Sequence, residues 1–504
     1  MDTLNQLVSG FGVALSPENL TFVFVGVLAG TVIGILPGLG PMSAIALMIP
    51  IAFGMDPTTG MIMLAGVYYG AVFGGSTSSI LLNAPGIAGT VATSFDGYPM
   101  ARDGRAGKAL AVAAIASFVG GTIGVVGLML IAPTLSTVAV SFGPAEYFAL
   151  MVLGLTAIVS LSGKNLTKGL ISAVVGVVVA LVGIDAATGT LRFTFDRPEL
   201  YEGIDFLIVA LGVFALAEVF VLLSRRGEGG ARGGVTSLRL SRGEVGAITP
   251  PTLRGSVLGF FTGVLPGAGA TVASFLSYSA EKRIARDGDS FGRGNIKGVA
   301  APESANNGAA VGSFVPLLTL GVPGSGTTAI LLGALLVLGV QPGPLMLDEH
   351  PGMFWGVVAS MYIGSVVLLI LNLPLIPVFA KVLNTPKAVL LPLVVVFCAV
   401  GVYGLSFAVF DLWLLLGFGV LGFLMRANDF PAAPLILGLI LGGLMERNMR
   451  QALQISGGDW SVFVTQPIPA VLLGLAAASL LPSVVGWLRR RRSRSREQEG
   501  VSAA

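Results

Sequence analysis

At 504 residues, with 54% hydrophobic and only 11% charged side chains and a mean hydropathy of +0.88, the chain cannot be a soluble domain; the bilayer has to be its solvent. The formal net charge of +3 does not point to nucleic acid, because the excess sits in one arginine-rich tail. A single histidine and a single cysteine exclude a structural disulfide and argue against a Cys/His zinc site or a Ser-His dyad.

Apolar runs of about 20 residues, enough to cross a hydrocarbon core, recur from end to end, so the predicted fold class is an all-α polytopic membrane protein. The opening residues, Met1 to Asn19, carry Asp2 and Glu18 but no Lys or Arg. They lack the charged start of a cleavable signal and are expected to be retained and extracytoplasmic. Next, Gly34-Ile-Leu-Pro-Gly-Leu-Gly40 interrupts an apolar run and predicts a first re-entrant hairpin.

The segment from Pro57 to Asp96 then runs to roughly 40 residues, about 60 Å as continuous helix and twice one crossing. It is broken at Leu82-Asn-Ala-Pro-Gly86. Further spans follow, with Arg102, Arg105, Lys108, Lys164 and Lys168 falling on the cytoplasmic side by the positive-inside rule. The polar linker that comes next, with Arg225, Arg226, Arg232, Arg239 and Arg242, is cytoplasmic by the same rule.

The second half repeats the first. Gly34 to Gly40 returns as Gly263-Val-Leu-Pro-Gly-Ala-Gly269, and Gly70 to Gly74 with Leu82 to Gly86 returns as Gly308 to Gly312 with Leu320-Gly-Val-Pro-Gly324. Basic residues lie on both sides of the second hairpin, whose arms of about 12 residues would reach only about 18 Å. It is therefore expected to be re-entrant and to enter from the cytoplasm, opposite to the first, with two tight full spans as the alternative. The stretch Gly298 to Val340 is again too long for one span and again broken at Pro-Gly. An odd number of crossings per half makes the repeats inverted.

The predicted organisation is a first membrane repeat over 1–223, a cytoplasmic basic linker over 224–253, an inverted repeat over 254–450, a loop and extra C-terminal span over 451–488, and a cytoplasmic basic tail over 489–504.

Residues after each break carry the candidate chemistry. Hydroxyls and glycines in a first helical turn leave free N–H groups at the positive end of the helix dipole, which suits a carboxylate. On that basis the predicted substrate-binding set is Gly38, Gly40, Ser43, Asn83, Pro85, Gly86 and Thr90 in the first half, with Gly267, Gly269, Thr271, Pro323, Gly324, Ser325, Gly326 and Thr327 in the second. Any one such turn is equally a helix cap or a packing glycine; four at repeated positions favour a site. Ser76, Ser78, Glu303, Asn306 and Asn307 form the predicted ion-coupling set, the Ser and Asn oxygens being suited to sodium; Glu303 reads either as an acid at membrane depth or, six positions after Lys297, as an interfacial residue capping a helix start. No Gly-x-x-x-x-Gly-Lys-Ser/Thr occurs, and no catalytic constellation is legible, so the chain is not read as an enzyme and coupling to an ion gradient is what remains for active transport.

These motifs resemble the TctA-type large membrane subunit of tripartite tricarboxylate transporters. The likeness runs from about Leu20 to about Val464. It rests on Gly34 to Gly40, on Tyr69-Gly-Ala-Val-Phe-Gly-Gly-Ser-Thr-Ser-Ser79 leading to Gly86, on Asp96-Gly-Tyr-Pro-Met100 and on Pro302-Glu-Ser-Ala-Asn-Asn-Gly308. The resemblance implies a permease of the bacterial cytoplasmic membrane that takes citrate-like or other small carboxylates, typically with sodium, from an extracytoplasmic substrate-binding protein. It also implies a small membrane subunit of about four spans. No other cofactor and no nucleic acid is expected; the C-terminus is placed in the cytoplasm. An elevator-like architecture, whose scaffolds commonly pair as a homodimer, is the expectation by analogy. The alternatives are a stand-alone secondary anion transporter or a passive channel.

Overall fold

The computed structural model describes residues 2–36, 39–83, 86–161, 166–185, 187–224, 237–382 and 387–480. Among these, helices dominate, and the only sheet is one two-stranded ribbon. The first half opens with α1 (Asp2–Ala14), α2 (Pro17–Ile35), α3 (Gly40–Ala52) and α4 (Pro57–Leu82). Local chemistry sets these ends. Ser16 accepts the Asn19 N–H and Asp56 accepts the Thr58 N–H, each followed by proline as the first helical residue.

A break follows, then α5 (Val91–Met100), α6 (Ala106–Ala139), α7 (Pro144–Leu161), α8 (Leu166–Ala180) and α9 (Phe206–Ser224). The second half holds α10 (Arg242–Val264), α11 (Gly269–Ile284), α12 (Lys297–Gly312), α13 (Phe314–Leu320), α14 (Gly326–Val337), α15 (Pro351–Val382), α16 (Lys387–Ser406), α17 (Val409–Ala427) and α18 (Ala432–Ile455). Among the described residues, five helical stretches are long and apolar enough to cross a membrane: Pro17–Ile35, Ala88–Ala139, Phe206–Ser224, Pro351–Asn372 and Val409–Ala427.

One expectation about the hairpins changes, the length of their arms. Their entering arms, α2 with 19 residues and α10 with 23, are much longer than 12, whereas the returning arms have 13 and 16. The entering arm alone reaches about 28–35 Å. The extra length of α10 comes from the expected linker: Ser241 and Glu244 form a reciprocal capping box that starts the helix at Arg242 and carries it through Pro250 and Pro251. Residues 225–236 of the linker, the whole of the tail and the end of the extra C-terminal span lie outside the described residues; an apolar helix is seen over Pro467–Leu480.

The chain divides into two compact units. One comprises 1–140 and 205–424. Its centre is a pair of helix contacts close enough to forbid side chains. A Cβ on Gly26, Gly30 or Gly34 of α2 would stand 2.3 Å from the carbonyl oxygens of Met63, Val67 and Ala71 on α4. In the second half Gly255, Gly259 and Gly263 of α10 meet Ala301, Ala305 and Ala309 of α12 in the same way, at 2.2–2.5 Å. Small residues at a four-residue spacing let membrane helices touch backbone to backbone, so each hairpin's entering arm is fastened along the helix that precedes its break. In the same unit α9 packs on α17, with Gly212 against Phe418 and Gly422 against Val213.

The other unit comprises 141–204 and 425–504. Within it α8 and α18 cross through Gly176 against Leu435 and Gly438 against Ala173. The ribbon pairs Gly183–Ile184 with Leu191–Arg192. It is tied down by Arg192 and Arg450, which share Asp185 and Glu446 at 2.6–3.2 Å.

Candidate functional site

All the described candidate residues fall in the larger unit. Glycines with left-handed backbone turn the chain at both hairpin tips, Gly40 with φ 50° and Gly267 and Gly269 with φ 85° and 57°, a conformation that costs other L-residues about 1–2 kcal/mol. Each tip sits on the break of its own half. Gly40 approaches the Gly86 carbonyl and Ile87, while the Gly267 N–H donates to the Gly324 carbonyl at 3.0 Å and Gly269 lies against Ser325. The breaks themselves are wedged onto the entering arms: a Cβ on Gly86 would be 2.5 Å from the Gly34 carbonyl, and one on Gly324 would be 3.0 Å from that of Gly263.

The second tip reaches the first break as well. Asn306 of α12 is fully buried, and neither its amide oxygen nor its amide nitrogen has a hydrogen-bond partner. Its Oδ1 lies against Gly89, with Ala270 of α11 alongside. A shift of 238 positions aligns Gly70 with Gly308 and Gly86 with Gly324; it pairs Asn306 with Tyr68 and Gly89 with Thr327. The buried Tyr68 hydroxyl lies against Ser313, Ser325 and Thr327, so each half sends one polar side chain into a turn that follows a Pro-Gly break. A buried amide left unpaired costs roughly 1–3 kcal/mol, which marks this as a place where a ligand's polar atoms would be welcome.

Glu303, one turn before Asn307 on α12, is fully buried rather than interfacial. Its carboxylate accepts hydrogen bonds from Thr93 at 2.5 Å, Ser76 at 2.6 Å and Ser117 at 3.1 Å. Asn307 Nδ2 donates to Ser117 Oγ at 2.8 Å and to the Glu303 carbonyl at 3.0 Å. Next to them a cavity of about 10 Å³ is lined by Tyr69, Ser117, Asn307 and Ser365, among others. Below this layer Asp96 receives the N–H groups of Gly292, Gly294 and Asn295 and the Tyr278 hydroxyl, all at 2.8–2.9 Å. That carboxylate seams α5 to the connector ahead of α12.

Several predicted residues serve the fold instead. Ser325 is the N-cap of α14, its side chain accepting the Thr328 N–H in a reciprocal box with Thr328. Ser43 donates to the Phe214 carbonyl, Ser78 to the Gly75 carbonyl, and the buried Thr90 to Ile87 and Gly75 while accepting from Ser79. Asn83 is an exposed C-cap with φ 51°. Pro323 is buried at the second break; Gly326 and Thr271 are half-buried in the first turns of α14 and α11. Gly38 and Pro85 lie outside the described residues. The ion-coupling set separates: Ser76 joins Glu303 and Asn307, whereas Asn306 faces the turn at Gly89. Sequence reasoning missed Ser117, Tyr68 and Tyr69. Ser117 stands alone in an apolar run, and the two tyrosines occupy the repeat positions of Asn306 and Asn307, which is the signal that could have found them. Among the described residues no group of His, Cys, Asp and Glu could hold a metal ion.

Long apolar helices, backbone-close crossings and irregular backbone covered by protein define a multi-pass membrane protein. The chain belongs to the family described as the tripartite tricarboxylate transporter TctA family, which residues 20–437 match. That is a family of transporters, the large membrane subunits of systems that also comprise a binding protein and a small membrane subunit. The chain is 47% identical, over 98% of its length and 99% of the relative's, to an Agrobacterium vitis protein described as an uncharacterized 52.8 kDa protein in the TAR-I ttuC' 3'region. A second A. vitis protein, described as an uncharacterized protein in the TAR-II ttuC' 3'region, is 45% identical over 46% of this chain and 97% of its own. No solved structure matches.

Proposed function

We propose that this chain imports small carboxylates of the tricarboxylate class across the bacterial cytoplasmic membrane by secondary transport, taking them from an extracytoplasmic binding protein and working beside a small membrane subunit. The observation that carries the reading is the buried, unpartnered amide of Asn306 facing Gly89, where the second hairpin tip meets the turn after the first break. Turns after a break in mid-membrane offer backbone N–H groups to anionic substrates. A cation gradient drives the cycle, with sodium as a coupling ion.

The two halves are read as inverted repeats. Supporting this, the last helix of each half packs on the penultimate helix of the other: α9 on α17, and α18 on α8. The hairpins and broken helices form the moving, elevator-like element, the remaining spans a scaffold that pairs as a homodimer, and the C-terminal tail lies in the cytoplasm. Uptake by proteoliposomes holding both membrane subunits and supplied with loaded binding protein tests the reading. Accumulation should require a cation gradient, and uptake that persists after every gradient is collapsed would show a channel instead.

A further inference from the structure

Glu303 is fully buried, and among the described residues no Lys, Arg or His pairs with it. An uncompensated charge at such a place costs several kcal/mol, yet the surroundings are selective: the side chains bonded to its carboxylate are all hydroxyls, those of Ser76, Thr93 and Ser117. The choice of residue type is informative. Ammonium, guanidinium or amide N–H groups can only donate and give the O–H of a protonated carboxyl nothing to bond to. A hydroxyl donates or accepts as its hydrogen rotates.

With Glu303 ionised, three hydroxyls donate to it. When a proton binds one carboxyl oxygen, the new O–H donates to the hydroxyl oxygen it faces. That hydroxyl then turns its own hydrogen to a carbonyl one turn back, the bond that Thr31 makes to Val27 and Thr122 to Phe118 in this chain. Both states keep their polar atoms satisfied. A metal ion fits poorly in the same space. Cations of this size hold oxygens at about 2.3–2.6 Å, so two ligands at right angles stand more than about 3.2 Å apart. Contacts of 2.5 and 2.6 Å to Thr93 and Ser76 have a hydrogen between them.

The site also has a way out. Ser117 and Asn307 lead from Glu303 to the adjoining water-sized cavity, which the buried Tyr69 hydroxyl also lines, lying near Ser360. Other titratable or charged groups on the surrounding helices are engaged elsewhere: Asp96 with Tyr278, Arg254 with Glu281, Lys108 with Glu244, Lys297 with Asp287, and Tyr68 against Ser313, Ser325 and Thr327. Glu303 binds across the first break, to Ser76 before it and Thr93 after it, and Thr93 is four residues from the Gly89 that Asn306 faces.

We propose that Glu303 is a proton-binding site. In the transport cycle read above, on which this step rests, its carboxylate takes one proton from the extracytoplasmic side and returns it to the cytoplasm with each carboxylate carried, beside any sodium ion bound elsewhere. Difference infrared spectroscopy on the purified membrane complex, titrated through neutral pH, should show a protonated-carboxyl band that is missing in Glu303→Gln and whose midpoint is displaced in Ser76→Ala. No titrating band, or one that survives Glu303→Gln in a protein that still melts cooperatively, overturns the proposal. In proteoliposomes, substrate should acidify the lumen, and the ratio of protons to carboxylate taken up should fall at least about tenfold in Glu303→Gln; an unchanged ratio also overturns it. A titrating band lost in Glu303→Gln, in a complex that moves no carboxylate under any gradient, upholds the proton site and sinks the transport reading.

Discussion

The backbone N–H of Gly267 donates to the carbonyl of Gly324 at 3.0 Å, so the tip of the second hairpin hangs on the break of the second long helix by a main-chain bond. No side chain is needed for it, and none fits: a Cβ on Gly324 would lie 2.9–3.0 Å from Ser313 and from the Gly263 carbonyl. Tip and break are therefore joined through main chain alone, and Gly324→Ala should separate them.

The first break makes the sharper case. Gly86→Ala places a methyl 2.5 Å from the Gly34 carbonyl and 2.9 Å from the Gly75 Cα, backbone that cannot step aside. We expect a loss of about 1–3 kcal/mol from overpacking, read as a lowered melting temperature in detergent. Gly12→Ala, with no atom within 4 Å of the added Cβ, should leave melting unchanged or slightly raise it.

Asn306 and Ser325 separate binding from folding. Asn306→Ala removes an amide that makes no hydrogen bond in the protein, so stability should hold while carboxylate uptake drops at least about tenfold, or 1.4 kcal/mol. Ser325→Ala removes a cap and should cost about 1 kcal/mol of stability. If Asn306→Ala transports normally, the substrate is bound elsewhere.

Asp96 accepts three backbone N–H groups and the Tyr278 hydroxyl. Asp96→Ala should be strongly destabilising, because each N–H left buried without a partner costs about 1–3 kcal/mol. Tyr278→Phe should lose only about 1 kcal/mol. Limited proteolysis between α11 and α12 reads both, with cleavage accelerated far more in the first variant than in the second.

Glu244, in the polar first turn of α10, is held at a pKa of about 2 by its hydrogen bond to Lys108 first and by the Ser241 N–H next. A depressed carboxylate stabilises the fold above its unfolded value near 4.5 and loses that contribution as pH falls toward 2. Glu244→Gln should therefore lower stability at neutral pH and match the wild type near pH 2. The pair is partly exposed, so the difference should stay below about 1 kcal/mol and shrink in high salt. Melting curves taken across that range at two ionic strengths check both statements.

What could be read from the chain by itself was whatever follows from neighbours along it. Hydropathy demands a membrane; Pro-Gly at mid-span demands a break; Gly40, Gly267 and Gly269 demand sharp turns, and all of these act within a few residues. The fate of polar side chains was not local. Ser43, Ser78, Thr90 and Ser325 looked like ligands by composition, yet their hydroxyls close onto backbone or neighbouring hydroxyls because a carbonyl or cap position lay in reach. Ser76, Thr93 and Ser117 stand 227, 210 and 186 positions from Glu303, and nothing in their spacing announces the meeting. Helix packing chose those partners: glycine stripes bring α4 and α12 each onto an entering arm, and a buried carboxylate must take its hydrogen bonds from whatever the crossing leaves beside it.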